Sequence, residues 1–287
     1  DTVGALVSAM TAILARGLGD EARREACELL AALHDMPRHW PTAEQGQRVS
    51  TEEWMRAVRA AKRRARGVPL QYAAGQASFR HLTLDVDERV LIPRPETEQL
   101  VELVLEAMRD EPGGIVVDVG TGSGAIALAL ASEGNAGLVI GTDISVDALS
   151  VARGNLERCA SVLRTPVELR AGALLAPVHE RPLRAVVSNP PYISWRERDA
   201  LPAGVRDWEP AVALFSDAEG MATTARLVRE AGVALGAGGL LALEVDTRRA
   251  STAAELVATD GAYGMVQVVL DLTGRERFVV ARRREAE

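Results

Sequence analysis

The sequence has few cysteines, few aromatic residues and almost no lysine. Cys27 and Cys159 are the only cysteines among 287 residues, and neither has a partner at CxxC spacing. This excludes a disulfide framework and a zinc knuckle, and it predicts a reducing, cytoplasmic environment. Aromatic residues make up 3% of the chain, and Lys62 is the only lysine among 33 basic residues. The excess of arginine is typical of GC-rich coding and predicts no function.

Long apolar runs and a positive net charge are also missing. We expect no segment to reach the roughly 18–20 apolar residues that cross a bilayer, which excludes a transmembrane protein. No basic and then apolar signal segment follows Asp1. The net charge is −7, so any contact with nucleic acid requires a local basic patch. The 47% hydrophobic and 25% charged residues are ordinary for a soluble globular protein of one or two domains.

The hydrophobic pattern divides the chain into three parts. Residues 1–66 predict a helical domain, in which Ser50 begins the N-cap signal of a third helix. Residues 67–95 predict an extended linker with a β-hairpin, because apolar residues alternate there. Residues 96–287 alternate strand and helix patterns and end in two strands parted by a turn. This predicts an α/β domain with a doubly wound sheet of seven strands, parallel except for an antiparallel C-terminal hairpin.

A glycine-rich loop follows the first predicted strand of this last part and opens a helix. Its members are Gly120, Thr121, Gly122 and Gly124. Glycines let the backbone approach a ligand closely, and amides at a helix start suit polar or anionic atoms. Asp143 comes 19 residues after Gly124, where a carboxylate can accept hydrogen bonds from both hydroxyls of a ribose. The loop therefore predicts a nucleotide-like cofactor.

Two details favour S-adenosylmethionine over a dinucleotide. The third glycine follows the second by two positions, so the dinucleotide fingerprint G-x-G-x-x-G is not met. Asp118 lies two positions before the first glycine, where its carboxylate can receive the ammonium of a methionine moiety. A glycine turn that serves only the fold is the simpler alternative, but the positions of Asp118 and Asp143 argue against it.

A second motif, Asn189-Pro190-Pro191-Tyr192, follows another apolar strand pattern. The carboxyl edge of an open α/β sheet is where ligands bind. The Asn189 carboxamide oxygen and the Pro190 carbonyl can accept the two hydrogens of an –NH₂ group, and Tyr192 offers a flat face for stacking. An amide nitrogen is a poor nucleophile, and such acceptors raise its electron density while aiming it at a sulfonium methyl.

Together these motifs resemble class I S-adenosylmethionine-dependent methyltransferases that act on –NH₂ groups of planar systems. That group includes DNA adenine, RNA and protein glutamine methyltransferases. The segment Ile92-Pro93-Arg94-Pro95-Glu96-Thr97 is similar to part of the linker of the release factor glutamine methyltransferases, the PrmC/HemK family. The resemblance continues through Trp208-Glu209-Pro210 and the tail 271–278, and so covers nearly the whole chain.

The resemblance implies S-adenosylmethionine as cofactor, and N5-methylation of the glutamine in the Gly-Gly-Gln motif of class 1 peptide release factors. The helical domain would recognise this protein substrate. The implied cofactor-binding residues are Asp118, Gly120, Thr121, Gly122, Gly124, Asp143, Ile144, Ala173 and Asn189. The implied substrate-binding residues, of which the first four would line the cofactor pocket beside the substrate channel, are Arg94, Pro95, Glu96, Thr97, Asn189, Pro190, Pro191 and Tyr192. Asn189, Pro190 and Tyr192 are the implied catalytic residues, and no metal is expected.

The sequence departs from the family pattern at two places. The position that is usually acidic after the third strand reads Gly172-Ala173, which puts cofactor affinity in doubt because only backbone is left to hold the adenine. The usual Glu-Ile-Gly near the fifth strand reads Glu244-Val245-Asp246. An extra carboxylate there either is harmless at a strand end or alters the site.

Other interpretations stay open at the level of sequence. One is an N-methyltransferase acting on an amino group of RNA, DNA or a small metabolite, and another is a non-catalytic cofactor-binding or RNA-binding module. The basic stretch from Arg56 to Arg66 predicts either a weak RNA contact or, as is more frequent, a solvated helix face with salt bridges. The four histidines show no metal-ligand spacing. The loop 195–208 predicts a lid that contacts the substrate.

Overall fold

The computed structural model describes residues 1–285, so the last two residues of the predicted catalytic segment 96–287 lie outside the described residues. The helices are α1 (Val3–Leu18), α2 (Ala22–Leu33), α3 (Trp40–Ala43), α4 (Thr51–Arg64), α5 (Leu70–Ala74), α6 (Pro95–Ala107), α7 (Ala125–Glu133), α8 (Val146–Cys159), α9 (Ala203–Arg206), α10 (Ala211–Leu214), α11 (Ala222–Ala234) and α12 (Ala250–Asp260). The strands are β1 (Gln76–Phe79), β2 (Leu82–Asp85), β3 (Ile115–Val119), β4 (Leu138–Asp143), β5 (Val167–Ala171), β6 (Leu183–Ser188), β7 (Leu235–Glu244), β8 (Tyr263–Leu270) and β9 (Glu276–Arg283).

Helices α1–α5 form the N-terminal unit. The N-cap predicted at Ser50 is confirmed: its hydroxyl accepts from the Glu53 amide at 3.1 Å, and the Glu53 carboxylate accepts from the Ser50 amide at 2.6 Å. Helix α5 lies in the segment predicted as extended, where Pro69 precedes the first turn and Gly75 ends the helix with φ +80°. The domain boundary at residue 66 stays a prediction.

The segment Val3–Leu33 corrects one expectation. It contains an 18-residue window with a mean hydropathy of 1.3, which by length and composition is apolar enough to cross a membrane, so the prediction that no such run exists is wrong. The chain turns at Gly19–Glu21, and α2 then packs back against α1. The buried residues of α1 lie on one face, where they join the core of the N-terminal unit: Val3, Leu6, Val7, Met10 and Leu14.

The predicted hairpin is present as the antiparallel pair β1–β2. Asn155 of α8 holds its end, because the Asn155 carboxamide accepts from the Asp85 amide at 2.7 Å and donates to the Asp85 carbonyl at 3.0 Å. At its turn, Arg80 pairs with Glu133 and Glu102, both at 2.6 Å. Polar contacts at both ends therefore fix the linker to the α/β domain.

The seven remaining strands form one sheet in the order β5-β4-β3-β6-β7-β9-β8. The first five of these are parallel, and β9 pairs antiparallel with β7 and β8. The predicted fold class is confirmed. Strand β3 continues to β4 on one side, whereas β6 begins the other half, so the β3–β6 boundary is the topological switch point where open α/β sheets bind ligands.

Candidate active site

The loops after β3 and β6 lie side by side at this switch point. Val119 pairs with Ser188 in the parallel register, and the Ser188 hydroxyl donates to the Val119 carbonyl at 2.6 Å. A cavity of about 690 Å³ opens between the two loops. The predicted site residues that line it are Gly120, Gly122, Asp143, Ile144, Ala173, Asn189, Pro190 and Pro191. The structure thus brings both sequence motifs to one cavity.

The three loop glycines serve different purposes. Gly120 and Gly122 have φ of +74° and +54°, and a Cβ on either would meet nothing within 4 Å. Their backbone is therefore bare on the cavity side and open to a ligand. Gly124, with φ +86°, faces the protein instead, because a Cβ there would lie 3.2 Å from the Leu128 side chain.

Asp143 shapes the rim of the cavity. Its Oδ2 accepts from the Gly122 amide at 2.9 Å, and its Oδ1 accepts from the Ser145 amide at 2.8 Å. The side chain is half-buried and lines the cavity, so the carboxylate keeps further lone pairs for a ligand. The next residue, Ile144, also lines the cavity, and its side chain is 63% exposed.

Asp118 is a buried carboxyl behind the glycine loop. Its Oδ2 accepts from the Thr121 hydroxyl at 2.6 Å and from the Ala127 amide at 3.0 Å. Within residues 1–285 its Oδ1 has no hydrogen-bond partner although it is buried. Burial raises the pKa of this carboxyl to about 7. Gly141 of β4 makes room for the arrangement, because a Cβ there would lie 2.9 Å from the Thr121 hydroxyl.

The second motif contributes Asn189, Pro190 and Pro191 to the lining of the cavity. Pro190 is buried and Asn189 half-buried, and both line the cavity. The Asn189 Nδ2 lies 3.3 Å from the Thr97 hydroxyl, which fixes the amide end of this side chain. Tyr192 is absent from the cavity lining and lies on the side of Glu244 and Arg277, where burial raises the pKa of its phenol to about 12. The phenol is therefore neutral at physiological pH.

The residues Arg94–Thr97 lie behind the acceptor loop and do not line this cavity. Arg94 Nη2 donates to both oxygens of Glu209 at 2.6 Å, and burial raises the pKa of that carboxyl. Pro95 is the first residue of α6 and is exposed, and Glu96 follows it in the first turn. Thr97 is buried and its hydroxyl donates to Glu244 at 2.7 Å. Their predicted contacts with ligand therefore stay predictions.

The loop predicted as a lid contributes Trp195 to the lining of the cavity. The ring of Trp195 stacks on Phe215 with centroids 4.4 Å apart, and both line the cavity. Glu197 of this loop pairs with Arg248 at 2.6 Å and with Arg249. Asp246, the second departure from the family pattern, pairs with Arg249 at 2.7 Å. The extra carboxylate therefore helps to fix this loop to the end of β7.

Sequence reasoning missed three residues that shape the site. Glu244 received no role, although an acid that ends the apolar run Leu240–Leu243 was a visible signal. Gly220 has φ +90°, and a Cβ there would lie 2.0 Å from the Tyr192 carbonyl, so only glycine allows the close approach. Asn155 donates to the Ser123 carbonyl of the glycine loop at 2.9 Å. No sequence pattern indicated the last two.

Comparison with known proteins gives the class first. Residues 96–201 match the family model of the methyltransferase small domain, and residues 5–75 match that of the PrmC N-terminal domain. A solved methyltransferase from Pyrococcus furiosus shares the fold, with a TM-score of 0.53 and 19% identity over 71% of this chain and 89% of that one. Fold and site together define a class I S-adenosylmethionine-dependent methyltransferase.

Two curated relatives narrow this to one family. The release factor glutamine methyltransferase of Moorella thermoacetica is 39% identical over 272 residues, which cover 95% of both chains. That of Gloeobacter violaceus is 43% identical over 213 residues, or 74% of each chain. The chain belongs to the release factor glutamine methyltransferase family. The predictions of family, enzyme class and cofactor are confirmed.

Proposed function

We propose that this chain transfers the methyl group of S-adenosylmethionine to the side-chain amide nitrogen, N5, of the glutamine in the Gly-Gly-Gln motif of a class 1 peptide release factor. One observation carries the proposal: Asn189 and Pro190 open into the same cavity as Gly120, Gly122 and Asp143. An acceptor pair for an –NH₂ group and a cradle for the cofactor therefore meet at one switch point of the sheet.

The residues on the cofactor side fit S-adenosylmethionine, which supplies an electrophilic sulfonium methyl when bound. Asp143 would accept from the ribose hydroxyls, and the bare backbone at Gly120 and Gly122 would lie against the amino-acid part. Ile144, with its exposed side chain, and the backbone at Ala173 would hold the adenine. The unpartnered Asp118 Oδ1 suits an ammonium, since a cation would offset the cost of burying this carboxyl.

On the acceptor side, the Asn189 carboxamide oxygen and the Pro190 carbonyl would each accept one N–H of the glutamine amide. These contacts increase electron density at nitrogen and hold it in line with the methyl. Bound S-adenosylmethionine would supply the methyl carbon and keep the electron pair of its sulfur–carbon bond, and the glutamine nitrogen would lose one proton to solvent. The neutral Tyr192 would pack against the amide plane from the side of Glu244. No strong base is needed if that proton leaves last.

The test is methyl transfer from labelled S-adenosylmethionine to a class 1 release factor, beside the same factor with its Gly-Gly-Gln glutamine replaced by alanine. We expect label in the first protein only. Equal labelling of both would sink the glutamine proposal. Label in total RNA, DNA or a metabolite fraction, with none in the release factor, would instead establish the alternative N-methyltransferase.

We propose that the N-terminal unit docks the release factor and that the enzyme works in the cytoplasm, where its two free cysteines stay reduced. A second, weaker contact with RNA would use α4. Arg63 and Arg64 pair with Glu88 and Glu25, whereas the other four basic side chains of this stretch are exposed: Arg56, Arg59, Lys62 and Arg66. Binding of RNA that does not weaken steeply with added salt would exclude such a contact.

A further inference from the structure

Three polar side chains form a hydrogen-bonded chain behind the acceptor loop. Glu244, the last residue of β7, is 2% exposed and accepts from the Thr97 hydroxyl at 2.7 Å. Thr97, in the first turn of α6, is 5% exposed and its oxygen lies 3.3 Å from Asn189 Nδ2. Elements distant in sequence thus meet at the carboxamide of Asn189, which lines the cavity.

The donor and acceptor capacities in this chain have one consistent arrangement. An ionised carboxylate can only accept, so the Thr97 hydroxyl must give its single hydrogen to Glu244. The Thr97 oxygen is then left as an acceptor, and Asn189 must turn its –NH₂ end toward it. The carboxamide oxygen of Asn189 is consequently the end that stays available on the cavity side.

We propose that Glu244 and Thr97 are positioning residues that fix which end of the Asn189 carboxamide faces the substrate. The proposal rests on the function given above, in which that oxygen accepts a hydrogen from the glutamine amide. A reversed carboxamide would present N–H donors to an N–H donor. It would repel the substrate amide at the point where methyl transfer needs an acceptor.

The charge state of Glu244 decides whether the arrangement holds. The groups that act on it are Arg277 of β9, Arg94 and Glu96 at the start of α6, and Tyr192 of the acceptor loop. Burial raises the pKa of Glu244 to about 7 against the lowering effects of the Thr97 hydrogen bond and of the two arginines. A protonated Glu244 can donate to Thr97, which frees the threonine hydrogen to point at Asn189. The reversed carboxamide then becomes allowed.

The experiment measures single-turnover methyl transfer at saturating S-adenosylmethionine for three variants. Thr97→Val keeps the shape and removes the hydroxyl, and we expect its rate to fall about 10- to 100-fold, as for loss of a preorganised group. Thr97→Ser restores the hydroxyl and should recover most of that loss. Thr83→Val is the matched control, since it removes the hydrogen bond from the Thr83 hydroxyl in β2 to the carboxylate of Asp35, which follows α2, and it should keep the wild-type rate.

A pH profile supplies the readout that a merely structural role would not move. The wild-type rate should rise as the pH passes through about 7, and Glu244→Gln should flatten this rise, while the dissociation constant for the cofactor stays within about twofold. A Thr97→Val enzyme with wild-type rate, or a Glu244→Gln profile with the wild-type rise, overturns the positioning proposal. Failure of the wild type to label the Gly-Gly-Gln glutamine would instead overturn the proposed function.

Discussion

Two buried carboxyls lie behind the two loops that line the cavity, Asp118 behind the glycine loop and Glu244 behind the acceptor loop, and their surroundings are partly alike. Asp118 in β3 and Glu244 in β7 each accept from a threonine hydroxyl, at 2.6 Å and 2.7 Å. Burial raises the pKa of each to about 7. They differ in their remaining hydrogen bonds. Asp118 Oδ1 has no partner among the described residues, whereas Thr97, which donates to Glu244, also accepts from Asn189 Nδ2.

The difference shows how a buried carboxyl that accepts from a threonine hydroxyl can serve two kinds of ligand. A buried acid with an unpartnered oxygen is costly by itself, and a cation placed against it removes that cost. An acid that is linked to a carboxamide through a threonine hydroxyl uses its charge to orient that neutral group. Under the proposed function, Asp118 would serve a charged ligand on the cofactor side, and Glu244 would serve an uncharged amide on the acceptor side.

The largest expected effect is a loss of methyl transfer that leaves cofactor binding nearly unchanged. Asn189→Ala removes an acceptor from the substrate amide, and we expect kcat to fall about 100- to 1,000-fold. Cofactor affinity, measured by titration calorimetry, should change by less than about threefold. Asn135→Ala is the control, because Asn135 donates to backbone carbonyls at Met108 and Arg109 away from this cavity. A large loss of cofactor affinity in Asn189→Ala would contradict the division of labour.

The reverse experiment is Asp143→Ala. It removes the proposed ribose acceptor, and the loss of charge-assisted hydrogen bonds should weaken cofactor binding about 10- to 100-fold. The rate at saturating cofactor should stay within a few-fold of wild type. Asp147→Ala, an exposed acid at the start of α8, serves as the matched control. An unchanged dissociation constant for the cofactor in Asp143→Ala would show that Asp143 does not bind the ribose.

The pH dependence of stability sharpens the comparison of the two acids. Their folded pKa of about 7 lies above the usual values near 4, so the folded state binds more protons between those limits. The stability that each contributes is present below about pH 4 and is lost as the pH rises through about 7. Asp118→Asn and Glu244→Gln should each reduce the fall in unfolding free energy between about pH 5 and pH 8, by roughly 1–3 kcal/mol.

Urea unfolding of the cofactor-free protein measures this fall, and added cofactor tests the contrast. An ammonium beside Asp118 favours its ionised form, so saturating cofactor should diminish the effect of Asp118→Asn. The effect of Glu244→Gln should persist, because its neighbours stay the same. Equal sensitivity of the two variants to cofactor would show that the two acids do not differ as described.

The smallest effect concerns the adenine end of the cavity. Ala173 lines the cavity at the position where relatives are expected to carry an acid. Ala173→Asp should add one hydrogen bond to the adenine and tighten cofactor binding about three- to fivefold. Ala176→Asp, an exposed alanine outside the lining, controls for the added charge. Weaker binding by Ala173→Asp would mean that the cavity has adapted to the small side chain.

Local patterns predicted most of the fold and the two ligand loops. The alternation of strands and helices gave the sheet, and the register between Val119 and Ser188 then brings the two motifs together. Local patterns failed where a tertiary contact determines the local structure or the role of a residue. Helix α5 forms where an extended linker was expected, and Asn155 joins hairpin and glycine loop over 70 and 32 positions. The pairing of Thr97 with Glu244 spans 147 positions and leaves no periodic trace.

The linker after the hairpin has a consequence for substrate choice. Val86, Val90 and Ile92 belong to the same buried cluster as the N-terminal helices, and so do Ala148 and Val151 of the α/β domain. The docking unit and the acceptor loop are thus held at a set separation instead of being joined by a loose tether. If the N-terminal unit binds the release factor as proposed, the enzyme also selects substrates by the distance between the bound surface and the glutamine. Only a glutamine at the matching distance from the bound surface reaches the methyl group without deforming either protein.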